Sequence, residues 1–351
     1  NDSRRDSGFT LYYLFMNVGQ TIGSAITAVT FVYIGYAGAF YVACISMLFG
    51  FLAFLFLRNK IQSAALIKHT SSKKISARAI ILTLIALGLL ALALPYPSAV
   101  NTCISVLIGL VVIYLIFCAI RLEIRSERYK MLALVVLYLF SALYWGFWMQ
   151  VFTSTTLFFD RNVDRVVFGT QIPTTVLIFF EGLGIIIFAP FFAKLWDKLG
   201  ESKFQPSFGL KFAYGFFFIF VSFGLLFVAC SLFNVHEKIS FWWIVASLFS
   251  LAVSELCLSA IGLSAVTKLA PKKMVSTMMG FWYLTIAAGL VIANAFSKIA
   301  AIDKGHTSSA YSLHIYKHAF LEFSVLSLFA FCILVFVTPL IKKLTKMNGG
   351  V

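Results

Sequence analysis

Two carboxylates fall deep inside apolar runs, where a charge is costly. Glu255 stands in "SLAVSELCLSAIGL", residues 250–263, within a run from Phe241 to Lys268. At a rise of about 1.5 Å per residue it lies about 20 Å from either end of a helix there. Glu181 stands in "IFFEGLGIIIFAP", beside Gly182, Gly184 and Pro190. Such an acid pairs with a cationic ligand group or exchanges a proton; the bland alternative is a protonated, hydrogen-bonded structural acid. Ser259 and Gly262 share the helical face of Glu255 at i+4 and i+7, so small side chains leave room beside the acid, for a ligand or for a packed helix.

Other residues suit the same task. Asn17, in "LYYLFMNVGQTIG", is an apolar-run amide that needs partners or water. Gly19 and Gly23 form a GxxxG pair, a signal of close helix packing. Tyr144, Trp145, Trp148, Trp282 and Tyr283 either wall an amphipathic pocket or form an interfacial belt. The glycines and proline after Glu181 are expected to interrupt their helix, lining a cavity or only kinking it. His314, His318 and Glu322 repeat at metal-ligand spacing, but at a segment edge they read as solvated groups, and no metal site is assigned. No Walker loop, dinucleotide glycine fingerprint or nucleophile elbow is present, so neither an enzyme nor a cofactor is indicated.

The elements that must position these residues are membrane helices. The chain is 61% hydrophobic and only 12% charged, far more apolar than soluble domains. Ten apolar segments are expected: Phe9–Val32, Phe40–Leu57, Ala79–Leu94, Thr102–Ile120, Met131–Thr153, Ile172–Trp196, Phe212–Phe233, Phe241–Thr267, Met274–Ala295 and Phe320–Leu340. They are continuously apolar rather than alternating, which argues for helices over a barrel. The third is short, and "LPYPS" after it reads as a tight turn. Of the 28 Lys and Arg residues, all but Arg161, Arg165, Lys238, Lys298, Lys304 and Lys317 fall in one set of loops. The positive-inside rule makes that side cytoplasmic and puts both ends of the chain there, in the cell (inner) membrane. The net charge of +15 follows from these flanking residues and implies no nucleic-acid partner. The six cysteines lack close paired spacing, so no disulfide framework or zinc site is expected.

The sequence opens on Asn1-Asp2-Ser3, a charged stretch running straight into a helix, and a piece of a longer protein is expected. Residues 59–78 and 123–130 read as basic cytoplasmic linkers. Asp160, Arg161, Asp164 and Arg165 alternate acid and base on the side where Lys and Arg are scarce. They are expected to form an outer gate of breakable ion pairs, the alternative being a solvated loop cap.

Together the motifs resemble the proton-dependent oligopeptide transporter family of the major facilitator superfamily. "RRDSGFTLYYLFMNVG" is similar to that family's "RRDxGFxLFYxxINxG", and "LYWGFWMQVFTSTTLFFDRNVDR" to "FWALFEQxxSSLxLFADRNxDR". "IPTTVLIFFEGLGIIIFAP" aligns with "IPASxFQSLNPLFIIxxAP". "ELCLSAIGLSAVTKLAP" resembles "ELCLSPVGLSxVTKLAP" with Ala260 in place of proline, and "MMGFWYL" resembles "MMGxWFL". The resemblance implies an all-α polytopic membrane protein of the major facilitator fold, with 10 transmembrane segments present of the 14 in a six-plus-two-plus-six plan. Residues 1–58 then hold the last two helices of the N-terminal bundle, 79–122 a two-helix insertion and 131–346 the C-terminal six-helix bundle. The first four helices, with the ExxER motif and a substrate-contacting lysine, are not in this sequence.

Residue by residue, the resemblance implies that Glu255 holds a peptide's amino terminus, that Asn17 is a pocket asparagine and that Trp282 is a pocket tryptophan. Two positions depart from the pattern. Met149 stands where the family has a proton-coupling glutamate, and Glu181 where it has a pocket asparagine. The expected function is therefore a proton-coupled symporter for di- and tripeptides working by alternating access. Glu255, Asn17, Trp282, Glu181 and Ser259 bind substrate, and Glu181 stands in as the proton-coupling site. The alternatives are a major facilitator transporter for another small solute, such as a modified peptide or drug, or a non-transporting membrane sensor or remnant.

Overall fold

In a computed structural model the described residues are 5–64, 77–93, 95–200, 206–233, 237–302 and 308–346. Much of the linker 59–78 and the loop charges Arg4, Lys203 and Lys304 lie outside them. The helices are α1 (Arg5–Ile34), α2 (Tyr36–Ala64), α3 (Ala77–Ala93), α4 (Pro97–Arg121), α5 (Arg125–Trp148), α6 (Ser154–Asn162), α7 (Val176–Gly200), α8 (Phe208–Leu232), α9 (Phe241–Leu269), α10 (Val275–Ile299) and α11 (Ser309–Lys346). Among the described residues nine stretches are long and apolar enough to cross a membrane, α5 and α6 forming one of them. The tenth expected segment is α3, shorter than the rest, at 17 residues. This is a multi-pass helical membrane protein.

Residues 1–25 and 107–351 form one compact unit, and residues 26–106 form another. In the smaller unit, α1 gives way to α2 at Gly35, whose φ of +78° lies in the left-handed region that glycine enters without strain. The α3–α4 connection is as tight as "LPYPS" suggests: Tyr96 N–H donates to Ala93 O at 2.9 Å. Pro97 opens α4, the position where its missing N–H costs nothing.

In the larger unit, α9 is the central element, buried along most of its length and packed by α5, α7, α8 and α10. It ends at Leu269, two residues before Pro271, as the conformational limits on a residue preceding proline favour. The short pair Val166–Val167 and Thr170–Gln171 forms an antiparallel β-hairpin. Its two turn residues, Phe168 and Gly169, have φ of +51° and +76°, the signs that a tight hairpin turn demands. This hairpin is a small departure from the all-helical expectation and lies in a loop.

The expected segment Met131–Thr153 is not one smooth helix. A 3-10 turn, Met149–Phe152, separates α5 from α6, and Thr153 leaves helical geometry altogether. Gln150, fully buried at this break, donates to Gly146 O at 3.1 Å and Ala293 O at 3.2 Å, and its carbonyl accepts from Ser154 Oγ at 2.7 Å. Replacing Gln150 with Leu would strand the Ser154 hydroxyl in an apolar interior and remove one of several hydrogen-bonded ties to α10. A loss of about 1–3 kcal/mol is expected, seen as a lower melting midpoint in detergent; an unchanged midpoint would count against the tie.

The expectation of an interrupted helix after Glu181 is corrected. Helix α7 runs unbroken through Gly182, Gly184 and Pro190. The glycines serve close approach instead: a Cβ at Gly184 would stand 2.8 Å from that of Ala252 on α9, and one at Gly182 would strike Thr21 Oγ1 on α1. Conversely, among the described residues nothing lies within 4 Å of a Cβ built on Gly19 or Gly23. GxxxG spacing permits a close neighbour without supplying one.

Candidate functional site

Helices α1, α5, α9 and α10 line a partly open cavity of about 180 Å³. About 10–15 Å³ of such space suffices for one water, so this volume admits a small solute. Much of the wall is aromatic: Tyr12 and Tyr13 from α1, Trp145 and Trp148 from α5, and Trp282 and Tyr283 from α10. The polar part of the wall is Asn17, Gln20, Glu255 and Ser259. A slot that is mostly apolar with a few convergent polar groups is the usual form of a small-molecule site.

Periodicity explains how these side chains meet. Glu255, Ser259 and Gly262 stand at i, i+4 and i+7 on α9, one face of a helix. Gly262 completes the face because a Cβ there would run into the indole of Trp282. The glycine thus lets Trp282 lie against the α9 backbone, where the indole is 3% exposed. On α1, Tyr13, Asn17 and Gln20 repeat the same spacing. The Asn17 side chain donates to Tyr13 O at 2.9 Å, and Thr21 Oγ1 donates to Asn17 O at 2.8 Å, fixing the rotamers of this stripe.

The electrostatics are concentrated at Glu255. It is buried, and the hydroxyl of Tyr13 donates to its Oε1. Among the described residues its Oε2 has no hydrogen-bond partner, and neither does the Oγ of Ser259 one turn away. The indole N–H of Trp145 on the same wall is likewise buried and, among the described residues, unpaired, whereas that of Trp148 is buried beside Glu181. An unsatisfied carboxylate oxygen costs more than an unsatisfied neutral group. The wall therefore offers an acceptor with strong demand for a cationic donor, together with donors for a substrate oxygen.

Glu181 sits elsewhere. It is fully buried and does not line the cavity; Gln20, which does, donates from Nε2 to Glu181 Oε2 at 3.0 Å. Among the described residues Glu181 Oε1 has no hydrogen-bond partner. Of the expected binding residues, the cavity thus gathers Glu255, Asn17, Trp282 and Ser259, and holds Glu181 one side chain behind its wall. Trp145, Trp148 and Tyr283 line the cavity as pocket walls. Tyr144 does not; it is fully buried, and its hydroxyl pairs with Ser254 Oγ at 3.0 Å. Tyr13 and Gln20, which line the cavity and donate to the two acids, are candidate residues that the sequence alone does not single out.

The charged segment lies apart from the cavity. Asp160 and Arg161 are on α6, and Arg165 pairs with Asp160 at 3.0 Å. Arg161 donates to Tyr316 Oη at 3.3 Å, and Asp164 caps Val166 N–H at 3.0 Å. Backbone bonds between Asp164 N and Ile239 O, and between Ile239 N and Asn162 O, at 2.8 and 2.9 Å, bind this segment to the start of α9. These contacts hold a loop within one helical bundle. His314 and His318 lie side by side on α11, their ring centroids 4.5 Å apart and the rings tilted at 58°, with both residues exposed.

The POT family's sequence profile matches residues 1–310. A dipeptide and tripeptide permease A of Erwinia pyrifoliae is 26% identical over 349 residues, covering 99% of this chain and 70% of its own length. A crystal structure of a POT peptide transporter in complex with sulfate superposes with a TM-score of 0.76 at 27% identity, covering 99% of this chain and 70% of that one. Another, of a POT family transporter in complex with 5-aminolevulinic acid, gives 0.75 at 26%, over 97% and 70%. The architecture of these helices is that of the major facilitator fold.

Proposed function

The chain belongs to the POT family, and from that premise we propose that it is a proton-coupled symporter that imports di- and tripeptides by alternating access. The observation that carries the reading is the unpartnered Glu255 Oε2 beside the unpartnered Ser259 Oγ, in an aromatic-walled cavity. A peptide's ammonium supplies the missing donor. Pairing offsets part of what each charge loses on leaving water. Trp145 offers its N–H group to the peptide's carbonyl or carboxylate oxygens, while Trp148, Asn17 and Trp282 shape the slot. The similarity to a dipeptide and tripeptide permease supports this substrate class.

Glu181 is the proton site in this reading. It is the second membrane acid, and Met149, at the start of the 3-10 turn, has no proton to give. Residues 1–58 belong to one bundle and 131–346 to the other, joined through the linkers 59–78 and 123–130 and the two-helix insertion 79–122. Asp160, Arg161, Asp164 and Arg165 stiffen the outer end of the second bundle and act as its gate. The lysine and arginine bias puts the linkers and both ends of the chain on the cytoplasmic face of the inner membrane.

A second reading has one observation in its favour. The similar POT family transporter in complex with 5-aminolevulinic acid holds an amine-bearing acid without a peptide bond, and Glu181 would favour a more cationic solute.

The test is uptake by proteoliposomes of radiolabelled dialanine, with 5-aminolevulinic acid as competitor. Accumulation driven by an inward proton gradient is measured beside counterflow, which needs no net proton movement. For Glu181→Gln, counterflow is expected to survive and gradient-driven accumulation to collapse. Loss of both would assign Glu181 to substrate binding, and no uptake by either route in the unmodified protein would favour the sensor. Stronger competition by 5-aminolevulinic acid than by unlabelled dialanine would favour the second reading.

A further inference from the structure

We propose that Gln20 reports the protonation of Glu181 to the cavity, its amide turning over with that proton and reversing the group shown to the substrate. This rests on the reading of Glu181 as the proton site and goes beyond it by naming the residue that links proton to substrate.

The geometry is that of a relay with one member. Glu181 is fully buried and absent from the cavity wall, while Gln20 is on the wall and bonded to it. An ionised carboxylate only accepts hydrogen bonds, and a primary amide has a donor end and an acceptor end. The bond from Gln20 Nε2 to Glu181 Oε2 at 3.0 Å suits an ionised acid, which can only accept. It uses the donor end and leaves the carbonyl end of Gln20, a cavity-lining residue, unengaged by Glu181. A protonated Glu181 carries an O–H that must donate, and the carbonyl on the same Gln20 amide is an acceptor that a turn of that amide brings to it. A half-turn about the terminal torsion, which is broad and nearly two-fold, satisfies it. The NH₂ group then faces the cavity. The proton stays on Glu181 throughout; only the amide turns.

The surroundings leave Gln20 as the partner able to respond. From α5, the Trp148 indole N–H approaches Glu181 as a donor, short of full hydrogen-bond geometry, and an N–H cannot accept from a protonated acid. Tyr144, also on α5, is the titratable neighbour, and its hydroxyl is engaged with Ser254. From α1, Thr21 abuts Gly182 and donates to Asn17 O; from α9, Ala252 and Phe249 abut Gly184 with apolar surface. The ionised form thus presents an acceptor, suited to a peptide N–H. The protonated form presents a donor, suited to a peptide carbonyl or carboxylate.

The experiment measures dialanine affinity against pH for the full chain in nanodiscs, in the unmodified protein and in Gln20→Met, Gln20→Leu and Glu181→Gln. Met and Leu keep apolar bulk and lack both amide groups. In the unmodified protein affinity is expected to change by up to about tenfold per pH unit through the titration, the limit for one linked proton. Both Gln20 variants are expected to bind dialanine with a flat profile, and Glu181→Gln likewise. If Glu181→Gln flattens the profile while both Gln20 variants keep it, the relay is overturned and the proton site stands. If Glu181→Gln keeps the full profile, the proton site falls and the relay with it. A folded Gln20 variant that binds no dialanine at any pH also overturns the relay, because it makes Gln20 an anchor rather than a reporter.

Discussion

Glu255→Gln is expected to abolish most dialanine uptake and to weaken dialanine binding at least about thirtyfold. The substitution keeps the shape and still accepts the Tyr13 hydroxyl, so the helix packing around α9 survives. What it removes is the negative charge at Oε2, the atom that the fold leaves without a partner. Truncating one side of a buried, hydrogen-bonded charge pair costs about 2–5 kcal/mol, and the lower bound of about 2 corresponds to that thirtyfold. N-acetylated dialanine separates the causes. It lacks the ammonium, so the unmodified protein should bind it as poorly as the Gln variant binds dialanine, and the variant should not discriminate between the two. Undiminished uptake by Glu255→Gln would end the ammonium-pairing role.

Gly262→Ala is expected to behave opposite to the usual rule for a helix interior. Elsewhere Gly→Ala stabilises a helix by about 1 kcal/mol. Here the new methyl enters the ring of Trp282, and overpacking costs about 1–3 kcal/mol. The indole escapes by moving off α9 into the cavity, narrowing the space in which Glu255 and Ser259 face a ligand. Uptake should fall at least about tenfold, the effect of losing about 1.4 kcal/mol, and the melting midpoint should not rise. Pairing it with Trp282→Phe, a smaller ring, should restore part of the uptake. Coupling between the two substitutions in a double-mutant cycle is the expected signature. A Gly262→Ala protein that is more stable and fully active would show that the indole does not lie on the glycine.

The helices and the acidic face of α9 are legible in the sequence for one reason. In a bilayer, apolar length fixes each element and 3.6-residue periodicity fixes each face, so spacing alone puts Glu255, Ser259 and Gly262 in one line. Asn17 is visible as a lone amide, but nothing in its own residue type points to Tyr13 and Gln20, its neighbours on the stripe. Their i, i+4, i+7 spacing is the same as that of the α9 face, and following that period along α1 leads to them. The contact between Gln20 and Glu181 spans 161 residues of chain, and periodicity along one helix says nothing about such a pair. The glycines after Glu181 mislead for a related reason. A glycine that breaks a helix and one that makes room for Thr21 or Ala252 look alike until the neighbour is known. The break that does occur, between α5 and α6, falls at "MQVFT", where neither glycine nor proline marks it.

The burial of α9 has a mechanical consequence. A helix clasped by α5, α7, α8 and α10 along most of its length cannot slide or roll without unseating four neighbours at once, and close-packed interiors resist such partial adjustment. Glu255 therefore rides on the stiffest member of its unit and keeps its position relative to the helices around it. An acid so mounted behaves as a fixed post. Any movement that opens or shuts the space before it has to be made by the surfaces facing it, or by the whole unit turning as a solid body.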